Sequence, residues 1–311
     1  MKKIYSAQTT RLWDQATIEE KGISSVDLME AAAEALTVFF TTQWNVHHPV
    51  IIFAGPGNNG GDGVAIARLL SNRGYLVKLY VFHLQGNISS DTSINIEKLP
   101  KEVDFSLIEN IDEVHNVFSK LQELDFLYIP PYPIILDALF GSGLNRPLSG
   151  EYANIVSEIN SLKTPIISID IPSGLHCEDN SQFPLESIIK ADMTLAIQRP
   201  KLAHLLESNQ PYLGDVYTIP IGLSEKVESH LKAYIYWLEA EEVITTIKQL
   251  QNEYPTETWT SEIEAIVPPS SDSYSRLQAI LEAAHSRQIL IRYKDLYQII
   301  CCPDGMVYLY R

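Results

Sequence analysis

The chain has 311 residues, three of them cysteine, and 39 acidic against 23 basic side chains, a formal net charge of −16 at pH 7. No Lys/Arg-rich patch stands out that could release phosphate counterions, so nucleic acid and anionic membrane surfaces are excluded as partners. A hydrophobic content of 45% with 20% charged residues fits a soluble globular protein with room for one large or two ordinary domains.

No apolar run approaches the roughly 20 residues needed to span a bilayer. The start, Met1-Lys2-Lys3-Ile4-Tyr5-Ser6, leads into a polar helical pattern, not a signal sequence. Cys301 and Cys302 are adjacent, which suits neither a disulfide framework nor a CxxC metal site. Reduced thiols in a cytoplasmic protein are expected.

In chain order, residues 6–21 and 24–44 read as two opening helices. Ser24 followed by Asp27 gives a capping-box signature, and Met29, Ala32, Ala33, Leu36 and Phe40 fall at helical spacing, a core-facing stripe. A strand is expected at 50–54, a helix at 63–72, a strand at 76–82 and a weaker helix at 88–99. Ile134-Ile135-Leu136-Asp137 reads as a short buried strand, 152–162 as helix, and 166–169, 193–197 and 216–219 as strands. Strands and helices that alternate, with strands of continuous apolar character, imply a doubly wound, mostly parallel sheet in a three-layer αβα, Rossmann-like arrangement. Ligands of such sheets bind beyond the carboxyl ends of the strands, where strand order switches.

The rest, from about residue 226, differs in pattern. A helix is expected near 237–243, a loop-like stretch at 252–275, a helix at 277–284, strands at 289–293 and 296–302, and a hairpin through Pro303-Asp304-Gly305 into 307–310. This part is expected to be a small α+β appendage.

The most informative segment is Gly55-Pro56-Gly57-Asn58-Asn59-Gly60-Gly61-Asp62-Gly63, between a strand and a helix. Such a loop can bring bare backbone close to a ligand, since glycine lacks Cβ and accepts positive φ. The helix N-terminus beyond it suits phosphate. Gly55, Gly57 and Gly60 satisfy the dinucleotide fingerprint literally, but His83-Leu84 stands where that fingerprint needs a ribose-binding acid. A P-loop would need Gly-Lys-Ser/Thr where Gly61-Asp62 stands. A dehydrogenase and a P-loop phosphotransferase are both disfavoured.

This loop, with Asp137-Ala138-Leu139-Phe140-Gly141-Ser142-Gly143, Asp170-Ile171-Pro172-Ser173-Gly174 and Leu28-Met29-Glu30-Ala31-Ala32, closely resembles the YjeF N-terminal domain family, the NAD(P)HX epimerases. The resemblance covers about residues 1–225. It implies a substrate that is a hydrated nicotinamide dinucleotide with a hydroxyl at C6 of a tetrahydropyridine ring, whose R and S forms are interconverted for cofactor repair. Carried over by position, Asn58, Asn59, Gly60, Gly61 and Asp62 would contact the dinucleotide. Gly141, Ser142, Gly143, Leu144, Asn145, Arg146 and Pro147 would form a second binding loop, with Arg146 on the pyrophosphate. Asp170 would bind near the ring and act as acid or base. Asn59, Asp137 and Ser173 would hold one potassium ion per subunit, an all-oxygen set suited to a hard cation. The resemblance further implies a homodimer working alongside a separate NAD(P)HX dehydratase.

In many relatives that dehydratase is fused behind the epimerase domain. Residues 226–311 resemble a reduced and inactive remnant of it, because the body carrying its nucleotide site and the Gly-rich loop after the hairpin are missing.

Plain structural roles stand beside these. Asp137 and Asp170 could anchor loops, and Asp62 could cap the helix. His83, His176 and His204 read as surface or packing residues. Lys201, after Arg199-Pro200, lies in a looser match and is left out of the site. The 124–133 stretch is unusually aromatic and proline-rich, and Leu175-His176-Cys177-Glu178-Asp179 stands where relatives have an Asp-rich turn. A non-catalytic module that binds protein or RNA on the same fold is the competing reading; the intact oxygen set favours the enzyme.

Overall fold

From Val50 onward the chain lays down strand, helix, strand in the alternation that its apolar runs demand. The computed structural model describes residues 1–123, 131–254, 257–258 and 272–311. In order come β1 (Lys2–Ile4), α1 (Ala7–Lys21), α2 (Ser25–Gln43), β2 (Val50–Ala54), α3 (Asn58–Ser71), β3 (Val77–Phe82), α4 (Ser90–Glu97), β4 (Asp104–Ile108), α5 (Ile111–Gln122) and β5 (Ile134–Ala138). Then follow α6 (Glu151–Ser161), β6 (Ile166–Ile169), β7 (Met193–Ile197), α7 (Gln210–Leu213), β8 (Asp215–Ile219) and α8 (Glu225–His230). The last part holds β9 (Ile235–Trp237), α9 (Ala240–Glu253), β10 (Glu257–Thr258), α10 (Ser273–Arg287), β11 (Leu290–Lys294), β12 (Gln298–Cys301) and β13 (Val307–Tyr310).

Seven strands form one sheet in the order β4-β3-β2-β5-β6-β7-β8, every neighbouring pair parallel. The expected three-layer α/β fold is present. β2, β5 and β6 are buried along their whole length, because helices cover both faces. Ile52, Leu79 and Leu136 pack with Leu36, Phe40 and Ile66 on one side. Ile51, Phe53 and Ile135 pack with Phe118, Ile155 and Ile159 on the other. Strand order reverses between β2 and β5, so the loops after these two strands face each other across the switch point.

Ser24 and Asp27 form the expected capping box, and the stripe from Met29 to Phe40 is buried. Three expectations change. α3 starts at Asn58, five residues before the expected start, so the glycine loop is helical from Asn58 to Gly63. Residue 237 closes strand β9, and its helix begins only at Ala240. β4 and α5 were not anticipated. The aromatic stretch at 124–133 lies, up to residue 130, outside the described residues, as does most of the loop-like 252–275 segment.

A second sheet runs β1-β9-β13-β12-β11-β10. It includes the β12–β13 hairpin, whose turn glycine, Gly305, takes φ +89°. Its first strand comes from the opposite end of the chain: Lys2, Lys3 and Ile4 pair antiparallel with Trp237, Tyr236 and Ile235. Ile4, Leu202, Leu205 and Leu206 share one core with Leu277, Ile280, Ile291 and Leu309. The second sheet is therefore fused to the first through buried apolar side chains from both halves.

Candidate functional site

The glycines of the first loop act by lacking a side chain, since none of those between 55 and 63 has positive φ. A Cβ on Gly55 would run into the Leu139 carbonyl, and one on Gly60 into the Gly55 carbonyl. On Gly63 it would lie 2.6 Å from Ala138 Cβ. The loop after β2 is thereby pressed against the loop after β5, with Gly55 N–H donating to Ala138 O at 3.0 Å. Gly57 is the N-cap of α3. Among the described residues no side chain caps the first N–H groups of α3, which stand at the positive end of the helix, where an anion binds well. Asp62 sits in the second turn and is not the cap.

Both loops line a cavity of about 670 Å³, within the usual range for a small-molecule site. Asn58, Asn59 and Asp62 line it from α3, and residues Gly141 to Pro147 line it throughout. Gly60 and Gly61 do not: they face inward, where a Cβ on Gly61 would meet Met29 Sδ at 2.7 Å and Thr92 Oγ1 at 2.8 Å. Arg146 is exposed at the cavity mouth.

Asp170 follows β6 with φ +67°, a left-handed conformation that Asp tolerates better than most residues. This turns its carboxylate into the cavity, where Oδ2 accepts from Ser142 N at 3.2 Å and Oδ1 from Ile197 N at 3.3 Å. Lys201 Nζ pairs with Oδ1 and also donates to Ile197 O at 3.0 Å. Burial works against the charged carboxylate, but the Lys201 ammonium outweighs it and holds Asp170 below its ordinary value. Behind the pair, His204 is buried and accepts from Lys201 N at 3.0 Å through Nδ1. Burial, then Lys201, lowers the imidazole to about 3, so it is neutral.

Asp137 and Ser173 lie behind the cavity wall, both fully buried. Asp137 Oδ1 accepts from Ser173 Oγ at 2.5 Å and Leu139 N at 3.2 Å; Oδ2 accepts from Ser168 Oγ at 2.8 Å and Ser173 N at 2.9 Å. Burial still pushes its carboxyl above the usual range. Ser173 Oγ accepts from Phe140 N at 2.8 Å and lies 3.0 Å from Phe140 O. Asn59 reaches the same loop, its side chain filling the space where a Cβ of Gly141 would stand. Its Nδ2 is buried without a hydrogen-bond partner among the described residues.

Lys201 and Asp14, both outside the expected site, also line the cavity. Lys201 is 2% exposed and sits at its floor; its weak motif match hid it, though a lysine just past a strand end was a usable signal. Asp14 reaches in from α1, and nothing in its local sequence marked it. Burial, then the charge of Asp170, raises Asp14 to about 7, while Lys201 opposes the rise. Asp62 is pushed well above its ordinary value by burial, then by Asp170, Asp14 and Asp91. Among the described residues no group of three His, Cys, Asp or Glu side chains is placed to hold a metal ion.

The family model described as YjeF-related protein N-terminus matches residues 25–203. An NAD(P)H-hydrate epimerase of Oenococcus oeni is 33% identical over 227 residues, 72% of this chain and 100% of that protein. One from Limosilactobacillus fermentum is 30% identical over 216 residues, 68% of this chain and 93% of its own length. A bifunctional NAD(P)H-hydrate repair enzyme of Thermofilum pendens is 32% identical over 215 residues, which is 69% of this chain but only 39% of that enzyme. Among solved structures, the yeast protein ynu0 matches 64% of this chain and 82% of its own with TM-score 0.53 at 22% identity, a likeness of fold.

Proposed function

The chain belongs to the YjeF-related N-terminal family, and on that premise we propose that it interconverts R- and S-NAD(P)HX, an isomerase reaction in nicotinamide cofactor repair. The observation that carries this reading is the Asp170–Lys201 pair at the floor of the cavity, between the N-terminus of α3 and the 141–147 loop. A dinucleotide needs an anion site and a reactive carboxylate in reach of one another, and this cavity offers both. The uncapped N–H groups of α3 and the guanidinium of Arg146 suit a pyrophosphate. Asp170, kept ionised by Lys201, is ready to accept a proton from the C6 hydroxyl.

Potassium is the finer part of the proposal. The buried, unpartnered amide nitrogen of Asn59 fits it, because a half-turn of the amide brings Oδ1 to that position. Asn59, Ser173 and the carboxylate of Asp137 would hold the ion, with Phe140 O beside them. A bound monovalent cation would offset the buried charge of Asp137 and tie the loops after β2, β5 and β6 together. The residues themselves orient the loops, and Asp170 moves the proton.

We also read residues 226–311 as a brace without dehydratase activity, supported by a core that it shares with β1 and with Leu202, Leu205 and Leu206. No described helix is long and apolar enough to cross a membrane, and a repair role for the cofactor pool favours the cytoplasm, which cell fractionation checks. Val216 and Tyr217, exposed on edge strand β8, are a candidate contact for a homodimer, which sedimentation checks.

The test of the reaction is an epimer-resolving chromatographic assay with purified protein and S-NADHX. Equilibration faster than the spontaneous rate is expected, with Asp170→Asn slower by about 10²–10⁴-fold. Folded protein without any acceleration would overturn the epimerase and return the interaction module.

A further inference from the structure

We propose that Asp14, on α1, is a second catalytic carboxyl of this cavity, donating a proton to the ring nitrogen of the substrate while Asp170 accepts one from the C6 hydroxyl. The inference rests on the epimerase reading and assigns a role within it. Asp14 precedes the family-matched segment, which begins at residue 25.

The reaction requires two groups. The substrate carbon carries both a hydroxyl and the ring nitrogen, so it inverts if the ring opens and recloses on the other face. Asp170 takes the hydroxyl proton, and the O–H electron pair becomes the second bond of an aldehyde at C6. The C6–N1 bond breaks, its electron pair goes to N1, and N1 takes the proton of Asp14. Rotation about C5–C6 exposes the opposite carbonyl face. N1 then attacks it, returns its proton to Asp14, and the new oxyanion recovers a proton from Asp170. Nothing is oxidised or consumed.

The structure places Asp14 for this task. Its neighbour Trp13 is 1% exposed and donates from Nε1 to Ser224 O at 2.9 Å, and Thr17 Oγ1 accepts from Ser224 N at 3.2 Å. Arg199 lies over the Trp13 ring at 5.6 Å. These contacts fix the turn of α1 that carries Asp14, while its own carboxyl makes no hydrogen bond or ion pair with the described residues. The charged groups around it are Asp170, Lys201 and Asp62, with Arg11 on its own helix at the cavity edge. Burial and the charge of Asp170 hold Asp14 near neutrality in its proton affinity, where a group can both give and take a proton efficiently. Asp170 is ionised at the same pH, and two carboxyls pushed apart in this way mark an acid and a base. Asp62, a further cavity carboxyl, is pushed above its ordinary value by burial, then by Asp170, Asp14 and Asp91.

The experiment compares wild type, Asp14→Asn, Asp14→Glu and Asp170→Asn for S-NADHX epimerisation between pH 5 and 9, with dinucleotide affinity and circular dichroism measured on each. In wild type the rate should fall as pH rises through about 7. Asp14→Asn should bind dinucleotide within about threefold of wild type, lose about 10²–10⁴-fold in rate and lose that limb. Asp14→Glu, which restores a carboxyl even if the Asn variant folds poorly, should recover rate with a displaced limb. A folded Asp14→Asn with wild-type rate and pH profile overturns the assignment alone. An inactive wild type overturns the epimerase reading and this inference with it.

Discussion

Lys201 Nζ meets Asp170 Oδ1 at the floor of the cavity, the two residues only 2% and 5% exposed. Breaking such a pair from one side strands the other charge, which costs about 3–5 kcal/mol. Lys201→Met and Asp170→Asn should each lower stability in chemical denaturation, and the double variant should lose less than the sum. Asp170 has a lowered folded value, so its contribution is complete above the ordinary carboxylate range and is lost as pH falls through the lowered one. Strict additivity of the two single losses would show that the side chains are not coupled.

Asp14 has the opposite sign. Its folded value, about 7, lies above the ordinary 3.8, so the folded state binds the proton more tightly and stability falls as pH rises between about 4 and 7. Asp14→Asn should therefore match wild type near pH 4 and exceed it above pH 7, by about 1–2 kcal/mol once solvent access to the cavity is allowed for. Denaturation midpoints at the two pH values check this; an equal difference at both would remove the perturbed carboxyl.

Two glycines in the site loops separate crowding from flexibility. A Cβ on Gly60 would collide with backbone, whereas one on Gly143 meets nothing within 4 Å. Gly60→Ala should cost about 2 kcal/mol or more, and Gly143→Ala within about 0.5 kcal/mol of wild type. Thermal melts of both suffice, and similar losses would mean that the loops are not held as described.

If potassium binds at Asn59, it stabilises only the folded state. Melting temperature should then be higher in potassium chloride than in tetramethylammonium chloride of equal ionic strength, and Asn59→Ala should erase the difference. Asp137→Ala is a different case: it strands four donors and should destabilise the protein in either salt. No salt difference in wild type would remove the ion.

The second sheet should be catalytically silent. S-NADHX with ADP or ATP should yield no NADH above background, read by absorbance. A nucleotide-dependent signal would show that residues 226–311 are more than a brace.

The motifs were legible because each joins the end of a buried strand to a ligand loop, and both signals are local. Apolar runs gave the strands at 50–54, 166–169 and 193–197 almost to the residue. β4 escaped because its pattern is mostly exposed. The start of α3 was misplaced because glycine normally weakens a helix; here Gly60 is required by the Gly55 carbonyl of its own loop, and Gly61 and Gly63 by Met29 and Ala138, which are distant in sequence.

What the sequence determined alone was the family, the parallel sheet and the oxygen-rich loops, since strand periodicity and motif spacing are properties of neighbouring residues. Only the tertiary structure decided that Gly60 and Gly61 turn away from the cavity, that Lys201 completes Asp170, and that Asp14 faces them. It also decided that β1 closes the second sheet 230 residues from its partner, β9. Those outcomes depend on burial and on charges brought together across the fold, and neither the proton affinity of a carboxyl nor the partner of an edge strand is written in its local sequence.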